Sequence, residues 1–296
     1  MPPASRQHFF FIHPRDYDLA ATLASGQAFR WRKVEGAWEG FIGPRWLRLQ
    51  QTAEGIAAET TQTTTDWGWL SHYLQTDVDL DVVARTFPDD EPMRRAVTTC
   101  RGLRLLRQEP WECLASFILS STKQIVQIQQ IVTLLCARFG EPLAVPARHE
   151  AAFAFPTVER LALCSESELR DCKMGFRAPN LLRTARMIAA GEVNLSHLHA
   201  LTLADARTEL MKFPGVGPKI ANCVLLFAYG FPQAFPVDVW VMKALRELYF
   251  PKRRVSEKRI ARFVATHFGP NAGYAQQYLF HYMRMRGKDG ELKVEG

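Results

Sequence analysis

One lysine stands where a glycine-rich turn passes into an apolar helix. Residues 210–219 read LMKFPGVGPK, so a first helix ends near Phe213 and Pro218 occupies the first turn of the next, where its missing N–H is harmless. A lysine amine is a nucleophile only when it is neutral. The apolar residues that follow and the positive end of the helix disfavour its charged form. Lys219 is therefore a candidate covalent nucleophile; the alternative is a surface lysine in a first helical turn.

An acidic residue lies at the far end of the longest uncharged stretch of the chain. This stretch, 220–237, has 18 residues, close to the ~20 of a membrane helix, but Asn222 and two prolines interrupt it. We interpret it as a buried helix followed by a loop. Asp238 comes next and precedes an apolar run, so its side chain can cap a helix. Lys219 and Asp238 flank the stretch, and we expect the two charged groups to meet in space.

The turn before the lysine and the net charge of the chain both favour a polyanionic binding partner. Gly215 and Gly217 bracket Val216 at a helix N-terminus, where backbone N–H groups can point outward at a phosphate. The alternative is an ordinary connection between helices. Lys and Arg number 37 against 30 Asp and Glu, a net charge of +7. Basic residues concentrate at 170–186 and 251–262, which we interpret as a phosphate-tracking surface; solvated helix faces are the alternative.

Composition excludes several classes of protein. With 296 residues and 47% hydrophobic residues the chain is not disordered, and 18 Gly and 17 Pro exclude a collagen-like repeat. The six cysteines form no C-x-x-C pair, so we expect no zinc site or other metal. The apolar run at 9–12 is too short for a secretory signal. We expect an intracellular protein without a membrane span.

The apolar pattern divides the chain near residue 105 into two domains, 1–105 and 106–296. The first looks rich in β-structure, with alternating strands at 38–43 and 46–49. The segment 57–65 is a third strand or a solvated loop. After Pro110 apolar residues recur every three or four positions, which predicts a helical domain. The predicted helices are 79–85, 91–98, 157–162, 166–171, 179–190, 203–213, 218–229, 239–249, 256–267 and 272–284.

Several segments together resemble one family of proteins. They are SGQAFRW at 25–31, QEPWECLASFI at 108–118, GFRA at 175–178, the hairpin at 210–219, FPVD at 235–238 and FGPNAGYAQ at 268–276. The sequence resembles the 8-oxoguanine DNA glycosylase/AP lyase family of the helix-hairpin-helix-GPD superfamily. The resemblance covers nearly the whole chain. It implies an α+β fold, in which a TATA-binding-protein-like antiparallel sheet precedes an all-α glycosylase domain.

The resemblance implies a bifunctional DNA repair enzyme acting on double-stranded DNA. Such an enzyme flips a damaged purine out of the duplex, cuts its N-glycosidic bond and nicks the strand by β-elimination. Lys219 would be the nucleophile that forms a Schiff base with the sugar. Asp238 would stabilise the positive charge that develops on the sugar. No cofactor is implied, because an amine and a leaving base suffice.

The resemblance also implies a pocket for the damaged base. Gly26 would present a backbone carbonyl to N7, which carries a proton in 8-oxoguanine and a lone pair in guanine. Gln276 and Phe280, which share a helix face, would bond the Watson–Crick edge and stack on the base. Cys223 would lie against the other face, and Pro236 would line the pocket. From the residues alone, core positions are the favoured interpretation of Phe280 and Cys223.

Other residues would act on the duplex. Phe176 would fill the gap left by the flipped base, and Arg177 would read the orphaned partner. Three positions depart from the family. Thr122 replaces an asparagine that contacts the orphaned cytosine, Gln127 replaces an arginine on the same base, and Trp240 replaces a histidine near phosphate. These changes predict excision with a relaxed preference for the opposite base.

Two competing interpretations remain open. The chain could be a related glycosylase for another damaged base, or a non-catalytic helix-hairpin-helix protein that only binds DNA. The iron–sulfur branch is disfavoured because no cysteine follows Cys223, and the monofunctional alkylation-repair branch lacks the lysine. We expect a monomer, associated with the nucleoid in a bacterial or archaeal cytoplasm, or nuclear in a eukaryote.

Overall fold

The computed structural model describes residues 8–121, 123–147, 149–251 and 255–292. The chain begins with an antiparallel sheet and continues as a set of helices. The strands are β1 (His8–Ile12), β2 (Arg32–Val34), β3 (Ala37–Ile42), β4 (Arg45–Gln51), β5 (Ile56–Thr60), β6 (Pro142–Leu143) and β7 (Ala152–Phe153).

The α-helices alternate with short loops through the rest of the chain. They are α1 (Leu19–Ala24), α2 (Gly68–Leu74), α3 (Leu80–Ala84), α4 (Glu91–Thr99), α5 (Pro110–Leu119), α6 (Ile125–Phe139), α7 (Val158–Ala162), α8 (Glu166–Leu169), α9 (Ala178–Ala189), α10 (Leu203–Leu210), α11 (Pro218–Val224), α12 (Val239–Ala244), α13 (Glu257–His267) and α14 (Ala272–Leu292). Wider π-helical turns follow three of them, at Arg170–Met174, Leu225–Tyr229 and Leu245–Tyr249.

The main sheet has the strand order β1-β5-β4-β3-β2, with every neighbouring pair antiparallel. The two-residue turn Glu35-Gly36 joins β2 to β3, and both of its residues have positive φ, which suits the twist of a tight hairpin. The predicted strands at 38–43 and 46–49 are confirmed as β3 and β4. The segment 57–65 is a strand only as far as Thr60, where β5 pairs on both sides, and residues 61–65 form a loop.

Apolar residues form two clusters. One lies under the main sheet, where Leu47, Leu49 and Ile56 meet Leu70 and Leu74 of α2. The other fills the helical part of the chain. Val83 of α3 and Met93 of α4 belong to this second cluster although they precede residue 105. The apolar clusters therefore do not divide at residue 105, and the domain boundary there stays a prediction.

The predicted helices are present, with differences at their ends. The helix predicted over 203–213 ends at Leu210, and those predicted over 218–229 and 239–249 continue as π-helical turns from Leu225 and Leu245. The last helix continues beyond 284 to Leu292. The predicted helix 166–171 is a single turn of α-helix that becomes a π-helical turn at Arg170. Side-chain caps fix the starts of α5 and α13, whereas α11 begins after Gly217 without a side-chain cap. Glu109 accepts from the N–H of Trp111 at the start of α5, and Ser256 accepts from the N–H of Arg259 in α13.

Candidate active site

The hairpin between α10 and α11 places Lys219 in the first turn of α11, where it is partly buried. Gly215 has φ +75°, a conformation that favours glycine, and a Cβ there would overlap the side-chain amide of Asn180. Val216 differs from the expectation: its N–H donates to the carbonyl of Phe213 (3.1 Å), so it closes the turn instead of pointing outward. Gly217 is open, with no atom near its Cβ position.

The amine of Lys219 has a specific partner in the protein. Its Nζ donates to Oγ of Ser120 at 3.4 Å. The Ser120 hydroxyl in turn donates to the carbonyl of Phe117 (2.7 Å), so its lone pairs are free to accept. Ser120 caps the C-terminus of α5 and is buried. Ser120 therefore orients the amine of Lys219, although the sequence pattern does not single out this serine.

Asp238 lies at the start of α12, and its Oδ1 accepts from the N–H of Val241 at 2.8 Å. Burial raises the pKa of this carboxyl, and the hydrogen bond from Val241 and the positive charge of Lys219 act in the opposite direction. The two charged groups therefore lie within electrostatic reach of each other. No ion pair shorter than 4.0 Å joins them among the described residues.

Cys223 and Pro236 accompany this pair. Cys223 lies one turn after Lys219 and is 4% exposed. Burial raises the pKa of its thiol to about 12, so the thiol is neutral. Pro236 is buried in the loop before Asp238. Asn222 holds this loop against α11, because its amide donates to the carbonyl of Phe235 at 3.2 Å.

The turn after α1 is fixed by buried amides. Gln27 is fully buried, and its side chain donates to the carbonyl of Arg104 (2.7 Å) and accepts from the N–H of Leu106 (2.9 Å). Gln108 donates to the carbonyl of Gln27 at 2.8 Å. These bonds tie the turn to the strand-like segment that leads into the helices.

Gly26 is half-buried at the corner of this turn and has φ +78°. Side chains of α14 take the two preceding carbonyls: Arg284 donates to Ala24 (3.3 Å) and Gln277 donates to Ser25 (3.1 Å). No hydrogen bond to the carbonyl of Gly26 occurs within the described residues. A Cβ on Gly26 would lie 3.7 Å from the ring of Phe280, so the two residues are neighbours.

Gln276 lies one turn before Phe280 on α14 and is 3% exposed. Its Oε1 is buried and has no hydrogen-bond partner among the residues that the structure describes. A buried amide oxygen without a partner costs about 1–3 kcal/mol. Such an atom indicates a site that is completed by a ligand.

A separate cavity of about 500 Å³ lies between β2–β4 and α6. Its walls include Trp31, Trp38 and Trp46, and it reaches Gly26, but Lys219 and Asp238 do not line it. Lys219 lies on α11 and Asp238 at the start of α12, and Gln276 lies on α14, the helix that packs against α12; this region of three helices is apart from the cavity. We therefore assign the chemistry to that region.

Comparisons with known proteins agree with this geometry. Residues 10–114 match the family described as 8-oxoguanine DNA glycosylase, N-terminal domain, and residues 115–269 match the HhH-GPD superfamily of base excision DNA repair proteins. The chain belongs to the 8-oxoguanine DNA glycosylase family. The family assignment confirms the resemblance, the fold class and a DNA N-glycosylase with lyase activity.

Relatives of the family align along nearly the whole chain. A probable N-glycosylase/DNA lyase of Methanothermobacter thermautotrophicus is 29% identical, over 92% of this chain and 95% of its own. The N-glycosylase/DNA lyase OGG1 of Arabidopsis thaliana is 30% identical, over 88% and 76%. A structure of the Clostridium acetobutylicum 8-oxoguanine glycosylase/lyase, with double-stranded DNA containing cytosine opposite 8-oxoguanine, has 32% identity and a TM-score of 0.87, and the match covers 94% and 99% of the two chains.

The residues that the family resemblance assigns to the duplex lie in different settings. Phe176 is 60% exposed, which suits a wedge. Arg177 is buried: it stacks on Phe176 (4.2 Å to the ring centroid) and donates to the carbonyls of Met174 and Ser121. In this conformation the guanidinium connects Phe176 to the end of α5.

The positions that depart from the family pattern are also in different settings. Gln127 is exposed in the first turn of α6, where its Oε1 accepts from the N–H of Gln124 at 3.1 Å. Thr122 lies outside the described residues. Trp240 packs its ring against Gly287 of α14, and Lys243 lies over the same ring at 5.7 Å. The indole thus braces α12 against α14.

The basic surface is only partly available to a phosphate. In the 170–186 segment Arg170 pairs with Glu166, and Arg186 donates to the carbonyls of Ala162 and Cys164. Lys173 and Arg183 are exposed. Lys252, Arg253 and Arg254, which carry much of the second cluster, lie outside the described residues. No helix within the described residues is long and apolar enough to cross a membrane.

Proposed function

We propose that this protein excises 8-oxoguanine from double-stranded DNA through a Schiff base on Lys219 and then nicks the strand. The observation that carries the proposal is the buried Oε1 of Gln276, which has no partner in the described protein. It belongs to the helix that packs against α12, at whose start Asp238 lies within the field of Lys219. A base with hydrogen-bond donors on its edge would satisfy that oxygen.

The chemistry follows from the two charged groups. The neutral amine of Lys219 forms a bond to C1′ while the C1′–N9 bond breaks, and the purine leaves with a proton. The carboxylate of Asp238 stabilises positive charge on the sugar during this step. Opening of the sugar ring at the C1′–O4′ bond converts the adduct into an iminium ion between Lys219 and C1′. Loss of a proton from C2′ then expels the 3′-phosphate, which nicks the strand.

Discrimination against guanine rests on the turn at Gly26. The carbonyl of Gly26 accepts from the N7–H of 8-oxoguanine, whereas guanine would present a lone pair to the same oxygen. One contact of this kind is worth about 1–3 kcal/mol. Phe280 stacks on the base, and Cys223 with Pro236 encloses it from the side of α11.

The opposite base is read less strictly in this proposal than in the family pattern. Gln127 is a neutral amide already engaged with the N–H of Gln124, so it lacks the charged fork of an arginine. Phe176 fills the gap without reading a base. The enzyme would act on chromosomal DNA, in the nucleoid of a bacterium or archaeon or in a eukaryotic nucleus.

The proposal is tested with duplexes that carry 8-oxoguanine opposite C, A, G or T. Under single-turnover conditions, base release and strand cleavage are quantified separately for the wild type and for Lys219→Gln. We expect both products from the wild type, opposite-base rates that differ by less than about tenfold, and neither product from the variant. Tight DNA binding without base release would support the non-catalytic alternative, and a strong cytosine preference would refute the relaxed reading of the partner.

A further inference from the structure

A third side chain continues the face of α14 that carries Gln276 and Phe280. Arg284 follows Phe280 by four residues, so the three side chains form one stripe along the helix. Its guanidinium lies over the ring of Phe280, with Cζ 5.4 Å from the ring centroid. A ring has two faces, and the guanidinium covers one of them. The stacked purine is thereby restricted to the other face.

The same guanidinium is bonded to the segment that presents Gly26. Its Nη1 donates to the carbonyl of Ala24 at 3.3 Å, two residues before Gly26. Gln277 holds the next carbonyl, that of Ser25, at 3.1 Å. Arg284 is therefore in contact both with the ring that would stack on the base and with the turn that would read N7.

The charge of Arg284 also reaches the catalytic end of the site. It favours the ionised form of Asp238 and lowers the pKa of that carboxyl, against the effect of burial. Burial lowers the pKa of Arg284 as well, but a guanidinium starts so high that it stays protonated. No acidic side chain forms an ion pair with it within 4.0 Å in the described parts of the chain.

We propose that Arg284 is a positioning residue for recognition of the damaged base: by stacking on Phe280 and bonding to Ala24 it fixes the distance between the stacking ring and the Gly26 carbonyl. This inference rests on the proposed function. Without the guanidinium, the ring of Phe280 gains rotational freedom and the turn loses one of its two anchors to α14. Part of the favourable free energy of binding is then offset by the entropy lost when the ring and the turn become ordered around the base.

Base excision and strand cleavage both use Lys219, but they should depend differently on Arg284. Removal of an intact damaged base needs the ring and the carbonyl, whereas strand cleavage at a pre-formed abasic site needs the amine but no base. Loss of Arg284 should therefore lower the first reaction relative to the second. A change that merely loosened the fold would lower both together.

The chain offers a matched control two residues away. Arg286 also lies over an aromatic ring, with Cζ 5.6 Å from the centroid of Tyr282, and it donates to Sδ of Met283. It is exposed and contacts neither Phe280 nor the Gly26 turn. Arg286→Met removes the same charge and the same kind of ring contact from the same helix.

The experiment measures single-turnover excision of 8-oxoguanine and cleavage of abasic-site DNA for the wild type, Arg284→Met, Arg284→Lys and Arg286→Met. For Arg284→Met we expect the ratio of excision to abasic-site cleavage to fall about tenfold, the size of one cation–π contact plus one hydrogen bond. Arg284→Lys keeps a cation and a donor and should recover most of that loss. Arg286→Met should match the wild type.

Each outcome decides a different claim. An unchanged ratio in Arg284→Met, or an equal fall with Arg286→Met, would overturn the role of Arg284. A parallel loss of both reactions in Arg284→Met would show a structural role instead. A wild type that cleaves neither substrate would contradict the proposed function itself, whatever the variants do.

Discussion

In the proposed mechanism the discrimination between 8-oxoguanine and guanine depends on the carbonyl of Gly26, and an alanine at this position tests it. Gly26 has φ +78°, where an L-residue costs about 1–2 kcal/mol. The new Cβ would lie 2.9 Å from Cδ1 of Ile125, the end of a flexible side chain that can turn away. The main expected effect is a shift of the turn and of its carbonyl.

Gly36 provides a control with the same backbone penalty. It has φ +80° in the turn between β2 and β3, and a Cβ there would meet no atom within 4 Å. Both alanine variants should lose about 1–2 kcal/mol of stability, which lowers Tm by roughly 2–3 °C for a chain of this size. Only Gly26→Ala should also lose the bond to N7–H, worth about 1–3 kcal/mol or a factor of roughly 5 to 150 in excision.

The assay combines thermal unfolding with single-turnover excision of 8-oxoguanine, at a temperature where both variants are folded. We expect Gly36→Ala to excise at the wild-type rate and Gly26→Ala to be slower by at least about fivefold. Equal excision rates for the two variants would refute the assignment of Gly26. A Gly26→Ala variant that is slow only because it unfolds would show a fall in Tm well beyond that of Gly36→Ala.

Three further predictions concern other parts of the site. Asp238→Asn keeps the helix cap and removes a carboxylate whose pKa is raised by burial, so that its ionisation destabilises the folded state. The Tm of the variant should therefore exceed that of the wild type at pH 7, and the difference in Tm should shrink as the pH falls towards 4. A difference in Tm that grows in acid would contradict the raised pKa. Ser120→Ala removes the partner of Lys219 and should slow excision and abasic-site cleavage together by about tenfold, measured against Ser121→Ala; unequal losses would argue against it. Gln127→Arg should raise the ratio of excision opposite C to excision opposite A, and an unchanged ratio would show that this position does not read the partner base.

The sequence was sufficient for elements whose pattern is local. The hairpin at 210–219 and the cap of α12 depend on residue types a few positions apart, so their positions could be predicted. The strand β1 was not predicted. Its apolar run Phe9–Ile12 does not alternate, and Phe9 is 70% exposed at the sheet edge, so only pairing with β5 identifies it.

The supports of the site could not be predicted, because they join segments far apart in the chain. Gln277 reaches back to Ser25 and Arg284 to Ala24 across more than 250 residues. Contacts between residues so far apart leave no periodic pattern in the sequence. The sequence around Ser120 carries no pattern that marks it, although its hydroxyl accepts a hydrogen bond from the amine of Lys219. The spacing of Arg284 from Phe280 was visible in the sequence, but a lone arginine eight residues after Gln276 reads as a solvated helix position.

The central claim is that Lys219 forms the covalent bond to the sugar, and borohydride trapping tests it most directly. Wild type, Lys219→Gln and Lys212→Gln are incubated with 8-oxoguanine duplex and borohydride, and the reduced adduct is mapped by peptide mass spectrometry. Lys212 is a fitting control, since it lies in the same hairpin and is paired with Glu209. We predict an adduct on the peptide with Lys219 in the wild type and in Lys212→Gln, and none in Lys219→Gln. An adduct that persists in Lys219→Gln, or maps to another amine in the wild type, would contradict the account.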